Sequence, residues 1–398
     1  MAENKGYNTV QISEIINAQI QPYIGNGELL NADLSNLVDT GKFIGGLSDE
    51  PRDIVAGGFI SALVKQMIVD DTNIGERMDI IKNYRMSGTE GGVMQKIRMK
   101  HIEALNDPSY NPDPGSTNDN FVNISQEFET MYFQNRFAEM FQTSIPENWY
   151  QGYFNSPKGI ADLISLVQSN VRKSIDLHVQ VISRGVLNAR MAMALHFKDK
   201  HQAINLLADF NAEFQPDVPL TVKECLKDPE FARYAAFRID EVVDMMADYN
   251  TLTNPMSFPQ ATPRDLIEVR TLGTFLNAIN KYLYTDAFNV EYVKLPRSSK
   301  VFKWQGSGTG ASFEELSTID VDVNVPVVDE ERVEKVSVKQ SGIIATLYHP
   351  DAIGIYDLNV RTRTQEDAIG DKTNYVHHLS GSTIADPYEP LVVLYVAD

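Results

Sequence analysis

Residues 158–190 contain no proline, and their apolar side chains step by three and four. Ile160, Leu163, Ile164, Val167, Val171, Ile175, Ile182 and Val186 fall on one line, with His178 among them. That spacing predicts an amphipathic helix with one narrow apolar stripe. Asn155 or Ser156 supplies an N-cap, and Pro157 suits the first helical position. Only Gly159 and Gly185 interrupt the run. At 1.5 Å per residue such a helix spans roughly 45–50 Å, several times the mean helix length. A helix that long, with a single stripe, is the spine of something extended.

The segment before it has the same character. Residues 93–105 alternate loosely (Val93, Ile97, Met99, Ile102), with Lys96, Arg98, Lys100 and His101 between. This suits a strand with one wet face, and the basic side chains read as its wet side, pairing with acids of a neighbouring subunit, with contact to nucleic acid as the alternative. Residues 107–120, DPSYNPDPGSTNDN, hold three prolines and read as an exposed loop tip around Pro112. Residues 121–133 (Phe121, Val122, Ile124, Phe128, Met131, Phe133) return as a second strand. A long two-stranded ribbon cannot bury its own faces and needs a neighbour. Residues 1–50 carry only short apolar pieces, such as Ile12, Ile15 and Ile16, broken by Gly25-Asn26-Gly27 and Gly45-Gly46. They read as an arm that packs on the body or on another chain. Residues 53–82 carry a 3.6-residue period (Ile54, Val55, Phe59, Leu63, Met67) and read as a helix ending near Asp70-Asp71.

Beyond the spine, 200–225 has no clear period. A helix is expected from Pro229 to Asp248, and another from Thr262-Pro263 through Leu266, Ile267, Val269, Leu272 and Leu276. After Leu295 the pattern turns to strands: 301–304, 321–327, 343–347, 353–356, 375–379 and 391–396. The fold class is α+β with a β-rich final third, and no repeat of 20–50 residues is visible.

No segment carries a complete catalytic or ligand-binding pattern. Gly306-Ser307-Gly308-Thr309-Gly310-Ala311 partly matches a dinucleotide fingerprint, but no βαβ unit surrounds it, so it reads as a loop. Asp320, Asp322, Asn324 and Glu331 occupy calcium-loop positions, but Val325 stands where the turn needs glycine, and alternate valines mark a strand. The seven histidines form no metal-binding spacing. Cys225 stands alone, with no nucleophile elbow around it, and reads as a small buried residue. No catalytic, cofactor-binding or metal residue is therefore assigned, and no cofactor. The chain has 398 residues with 43% hydrophobic and 22% charged, enough for two or three ordinary domains. Its 35 basic against 54 acidic residues give a net charge of −19, which disfavours tight binding to DNA or anionic lipid. No stretch reads as a signal peptide or membrane span, so a soluble protein of a reducing cytoplasm is expected.

The order of parts (broken arm, long hairpin with a proline-rich tip, very long helix, mixed domain, returning strands) resembles the major capsid proteins of tailed bacteriophages, the Hong Kong 97-like fold. It is nearest to those of short-tailed phages of Gram-positive bacteria. The likeness is carried by Glu127-Phe128 to Arg136-Phe137, Gln142-Thr143 to Trp149, Ala261-Thr262-Pro263-Arg264-Asp265, Val269-Arg270-Thr271, Asp286-Ala287, Asp351 to Asp357, and Asn374-Tyr375-Val376-His377-His378. It covers the chain from about Arg52 onward.

The resemblance implies an N-terminal arm and helices at 1–92, an extended loop at 93–145 lying over an adjacent subunit, and a peripheral domain at 146–225 with the spine helix 157–190. It further implies an axial domain at 226–344 and returning strands of the subunit body at 345–398. The implied protein is a structural major head protein of the virion, not an enzyme. It self-assembles as hexamers and pentamers into an icosahedral shell around double-stranded DNA, without specific DNA binding and without a membrane. Scaffolding and portal proteins are implied partners, and assembly is implied to occur in the host bacterial cytoplasm. The net −19 charge would keep the shell from gripping the genome. An encapsulin-like compartment, a head–tail connector and a hydrolase with an acidic cleft stay open as alternatives.

Overall fold

The computed structural model describes residues 17, 21, 29–31, 35, 39, 82–84, 94–99, 128–133, 135–146, 157–197, 201–216, 218–278, 298–305, 312–326, 333–367, 369–370 and 372–398. Most of the arm, nearly all of the 53–82 segment, the loop tip around Pro112, the caps at Asn155 and Ser156, and the Gly306–Ala311 stretch lie outside the described residues. The chain divides into two compact units. One gathers Met1–Asp79, Arg136–Val181 and Asp357–Ser382; the other gathers Ile80–Asn135, Ile182–Tyr356 and Thr383–Asp398.

The first unit is organised by a helix and three strands. Helix α1, Pro157–Phe197, has 41 residues. Within this unit its Val171, Ile175 and Val179, four residues apart, are buried against Leu379, with Phe137, Phe141, Leu358 and Val360 packed around them. Val171 and Ile175 lie on the expected line, but the buried stripe continues through Val179 rather than through His178 and Ile182, which are half-buried. The sheet is built from β4, Asn135–Pro146, β11, Ile353–Asp367, and β12, Lys372–Ala385. With β1, Lys82–Tyr84, the strand order is β1-β11-β12-β4, and β1 lies parallel to residues 354–356.

The second unit holds a five-stranded sheet, order β5-β13-β10-β6-β7. Its strands are β5 Ala203–Asn205, β6 Glu268–Leu272, β7 Ser298–Val301, β10 Ile343–Tyr348 and β13 Leu391–Tyr395. Both β10 and the first four residues of β13 are buried along their length. A strand covered on both faces reads as an apolar run, which is how these appear in sequence. Helix α1 runs past Arg190 because 191–195, Met-Ala-Met-Ala-Leu, are good helix formers buried on every side, so the stripe vanishes while the helix continues.

Helices α2 (Leu206–Phe214), α3 (Val222–Cys225) and α4 (Pro229–Ala247) follow. Helix α4 opens as expected: Asp228 accepts from the Phe231 amide at 2.8 Å and Pro229 takes the first turn. Phe210 of α2 packs edge-on to Phe231 and Tyr234 of α4. Short helix α5, Phe313–Ser317, leads into the ribbon β8 (Ile319–Pro326) and β9 (Val333–Gln340).

One expectation fails here. The helix from Thr262-Pro263 does not form: Pro263–Leu266 is a turn, 268–272 is strand β6, and helix begins only at 273. The apolar positions give mixed signals, a strand-like step of two from Ile267 to Val269 and helix-like steps of three and four from Val269 to Leu272 and Leu276, and pairing with β7 and β10 decides the outcome. Buried Arg270 is absorbed there, donating to the Tyr348 hydroxyl at 3.2 Å and to Ser299.

Candidate assembly surface

The ribbon foreseen around Pro112 exists at its root. Strand β2, Met94–Met99, pairs antiparallel with β3, Phe128–Phe133. Partners run from Met94↔Phe133 to Met99↔Phe128, so every pair is equidistant from the point between Asp113 and Pro114 in the sequence. Alternation gives the ribbon two faces.

The faces are reversed from expectation. The basic side chains of β2 do not face solvent or a neighbour's acids; they turn inward onto the last turn of the same chain. Lys96 Nζ donates to Asp386 Oδ2 and to the Asp351 carbonyl, both at 2.9 Å. Arg98 donates to Asp386 and, at 2.8 Å, to Glu389 Oε1. The Arg98 guanidinium also lies 5.0 Å from the Tyr388 ring centroid. Burial alone would lower the Arg98 pKa, but Asp386 and Glu389 outweigh it and hold the group above its ordinary value. Glu129, directly across from Arg98, takes a hydrogen bond from the Tyr388 hydroxyl; burial first, then that bond, push this phenol up to about 12.

Asp386 is the centre of the clamp and is fully buried. Its Oδ1 accepts the Tyr388 amide at 3.1 Å, and its own amide donates to Ala352 at 2.8 Å. Behind it, fully buried Arg190 of α1 donates Nε to the Asp386 carbonyl and Nη2 to the Glu389 carbonyl, each at 2.8 Å. Burial lowers the Arg190 pKa to about 10, which leaves it charged at neutral pH. His349 Nδ1 sits 3.6 Å from Glu389 but already accepts the Asp351 amide at 3.1 Å, so Arg98 is the ionic partner of Glu389. Three cations (Lys96, Arg98, Arg190) thus meet three carboxylates (Glu129, Asp386, Glu389), a balance that buried charge requires. Next to the clamp, Phe133 packs with Tyr356 and Ile384, and the Tyr356 hydroxyl donates to the Phe133 carbonyl at 2.6 Å.

The other face is apolar and open. Ile97, Met99, Phe128 and Tyr132 are 59, 64, 68 and 62% exposed. Four large apolar side chains on one face, held out by a buried ionic root, form the kind of patch that marks an interaction site.

Among the described residues, several of those weighed for chemistry are engaged in ordinary structural contacts. Asp322 is held low by hydrogen bonds from Ser337 and Lys335, the latter at 2.9 Å, and Asp320 lies 3.9 Å from Lys339 across the same ribbon. This is a strand pair, as the valine alternation indicates; Glu331 lies outside the described residues. Burial pushes the Cys225 thiol up to about 12, and its Sγ donates to the Val222 carbonyl at 3.3 Å. His178 lies 3.6 Å from Glu139, and His377 Nδ1 lies 3.0 Å from the Thr362 hydroxyl. Among the described residues no cluster could hold a metal ion, and no helix is long and apolar enough to cross a membrane. Arg190, Asp386, Tyr388 and Glu389 carry no local motif; their ribbon partners stand up to 291 positions away, so sequence spacing gives no signal of them.

Residues 55–395 match the family described as Phi29-like phage major capsid protein. No curated protein matches the chain. Among solved structures, a chain of the capsid of Staphylococcus phage Andhra is 8% identical, with a TM-score of 0.51, covering 79% of this chain and 83% of that one. A chain from the mature capsid of bacteriophage PhiM1 gives 10% identity and a TM-score of 0.43, covering 81% and 87%. A chain from a structure of native bacteriophage P68 gives 11% and 0.47, covering 80% and 83%.

Proposed function

We propose that this chain, which belongs to the Phi29-like phage major capsid protein family, closes its shell by seating the apolar face of the β2–β3 ribbon on a neighbouring copy. The chain is a major capsid protein, a structural component that forms an icosahedral phage shell. The finer reading is the Hong Kong 97-like arrangement. In it 93–145 is the extended loop, 146–225 the peripheral domain with its spine, 226–344 the axial domain and 345–398 the returning body strands. Hexamers and pentamers enclose double-stranded DNA, with scaffolding and portal proteins as partners and assembly in the host cytoplasm. No catalysis is part of this reading.

The observation that carries it is the inverted ribbon: charge inward, apolar surface outward. An exposed stripe of Ile97, Met99, Phe128 and Tyr132 has no benefit for a lone subunit. Covering each such side chain contributes on the order of 1 kcal/mol. One contact of that size is weak, but a closed shell repeats it in every subunit, and multivalent closure makes the sum large.

The test is the triple replacement of Ile97, Phe128 and Tyr132 by serine. Purified subunits should keep their circular dichroism and melting behaviour, because these side chains are exposed. Shells visible by negative-stain microscopy should disappear. Normal shells from the triple variant, or a wild-type chain that stays a stable monomer at high concentration, would refute the proposal.

A further inference from the structure

We infer that His349 is a pH-sensitive latch on the root of the β2–β3 ribbon: unprotonated it holds the root closed, and protonated it lets the root open. The inference concerns the single subunit, so it stands or falls independently of the shell reading above.

The latch is a short turn between β10 and β11. Pro350–Ala352 form one turn of 3-10 helix, and His349 is its N-cap. The imidazole Nδ1 accepts the Asp351 amide at 3.1 Å. The His349 amide donates to the Pro390 carbonyl at 3.0 Å, and the His349 carbonyl accepts from the Ala352 amide at 2.9 Å. Two other carbonyls of this turn reach the clamp. That of Asp351 accepts Lys96 Nζ at 2.9 Å, and that of Ala352 accepts the Asp386 amide at 2.8 Å. The cap therefore fixes the backbone that holds one ribbon cation and the central carboxylate of the clamp.

A ring nitrogen that accepts from a backbone N–H carries no proton, so the neutral ring here is the Nε2–H tautomer. The next proton must go to Nδ1. That nitrogen then becomes a donor facing the Asp351 donor, and the cap is lost. The acceptor within reach of the new N–H is Glu389 Oε2, 3.6 Å away. Glu389 Oε1 accepts from Arg98 at 2.8 Å, so the imidazolium competes with the ribbon for this carboxylate.

The surrounding charge works in the same direction. The ribbon brings Lys96, Arg98 and Glu129, α1 brings Arg190, and the segment before β13 brings Asp386, Tyr388 and Glu389. Asp351 shares the turn, and on the strand side Tyr348 meets Arg270 of β6, which also contacts Glu268. Three cations already meet three carboxylates within the clamp, and protonated His349 adds a fourth cation at its edge. The His349 side chain is 18% exposed, so protons reach it without unfolding. The latch is closed above the ordinary histidine range, near pH 6.5, and opens as pH falls through it.

The experiment is hydrogen exchange of unassembled full-length subunits at pH 7.5 and 5.5, each corrected for the intrinsic rate at that pH. Peptides covering β2 and β3 should exchange at least tenfold faster at pH 5.5, with α4 peptides changing less than threefold. Asparagine keeps an N-cap acceptor that takes no proton, so His349→Asn should hold the ribbon slow at both pH values. His349→Lys has a fixed cation and no acceptor, and its ribbon should exchange fast at both. A wild-type ribbon indifferent to pH, or an asparagine variant with the full acid response, overturns the inference. So does a lysine variant whose ribbon stays slow, or an acid response equally large in α4, which assigns it to global unfolding. Should the lysine variant fail to fold, the asparagine variant decides alone.

Discussion

Replacing Asp386 by asparagine should release the ribbon while leaving the sheet behind it folded. The side chain is fully buried and accepts from Lys96, Arg98 and the Tyr388 amide. Asparagine keeps the shape but removes one of three negative charges facing three cations. Breaking a buried ion pair by removing one partner costs about 3–5 kcal/mol. The isostere can still accept one hydrogen bond, so about 3 kcal/mol is expected, or roughly a hundredfold in a local opening equilibrium at 1.4 kcal/mol per decade. Hydrogen exchange of unassembled subunits, followed by mass spectrometry, reads this directly. Peptides covering β2 and β3 should exchange roughly a hundredfold faster, while β10 peptides change little. Adding Lys96→Met should recover part of the loss, because it removes a cation from the excess. A change below threefold at the ribbon, or equal acceleration in β10, would refute the clamp as the ribbon's anchor.

Three further outcomes are expected. Burial, then neighbouring His378, lowers the His377 pKa from 6.5 to about 4, so its neutral form is the folded one. Its contribution is fully present above pH 6.5 and is lost as pH falls toward 4, by at most about 3 kcal/mol at 1.36 kcal/mol per unit; His377→Gln should flatten the fall in melting temperature between pH 7 and 4.5, and an unchanged slope would contradict it. Gly342 has φ +79°, and a Cβ there would lie 2.0 Å from the Val396 carbonyl oxygen; Gly342→Ala should cost more than the roughly 1–3 kcal/mol of backbone strain alone, read as a drop in denaturation midpoint. Cys225 should resist maleimide at pH 8 until the chain is unfolded, because its thiol is buried and its pKa pushed up to about 12; prompt labelling of native protein would contradict that environment.

What the sequence reveals of this fold follows from which signals are local. The stripe at Val171 and Ile175 needs only neighbours three or four positions away, and it is legible, whereas its continuation through Val179 rather than His178 is set by the sheet it packs on. So are the Asp228-Pro229 helix start and the late apolar strands β10 and β13. Strand β6 is not, since the step from Ile267 to Val269 suits a strand while those from Val269 to Leu272 and Leu276 suit a helix, and the choice is made by partners β7 and β10. Strand β4 escapes because its outward face mixes Arg136, Met140 and Gln142, without clean alternation in polarity. The ribbon shows the sharpest limit. Alternation in 94–99 establishes two faces but not which one is buried. That choice belongs to Asp386 and Glu389, whose distance along the chain hides them from any local pattern.

Strand β13 lies between β5 and β10, in the interior of its sheet, yet it is made after every other strand there. The clamp residues Asp386 and Glu389 are made just before it. During synthesis, then, neither the sheet nor the ribbon's anchor can be completed until the ribosome has passed residue 395. A chain lacking residues 386–395 would lack both the fixed ribbon root and the strand that joins β5 to β10.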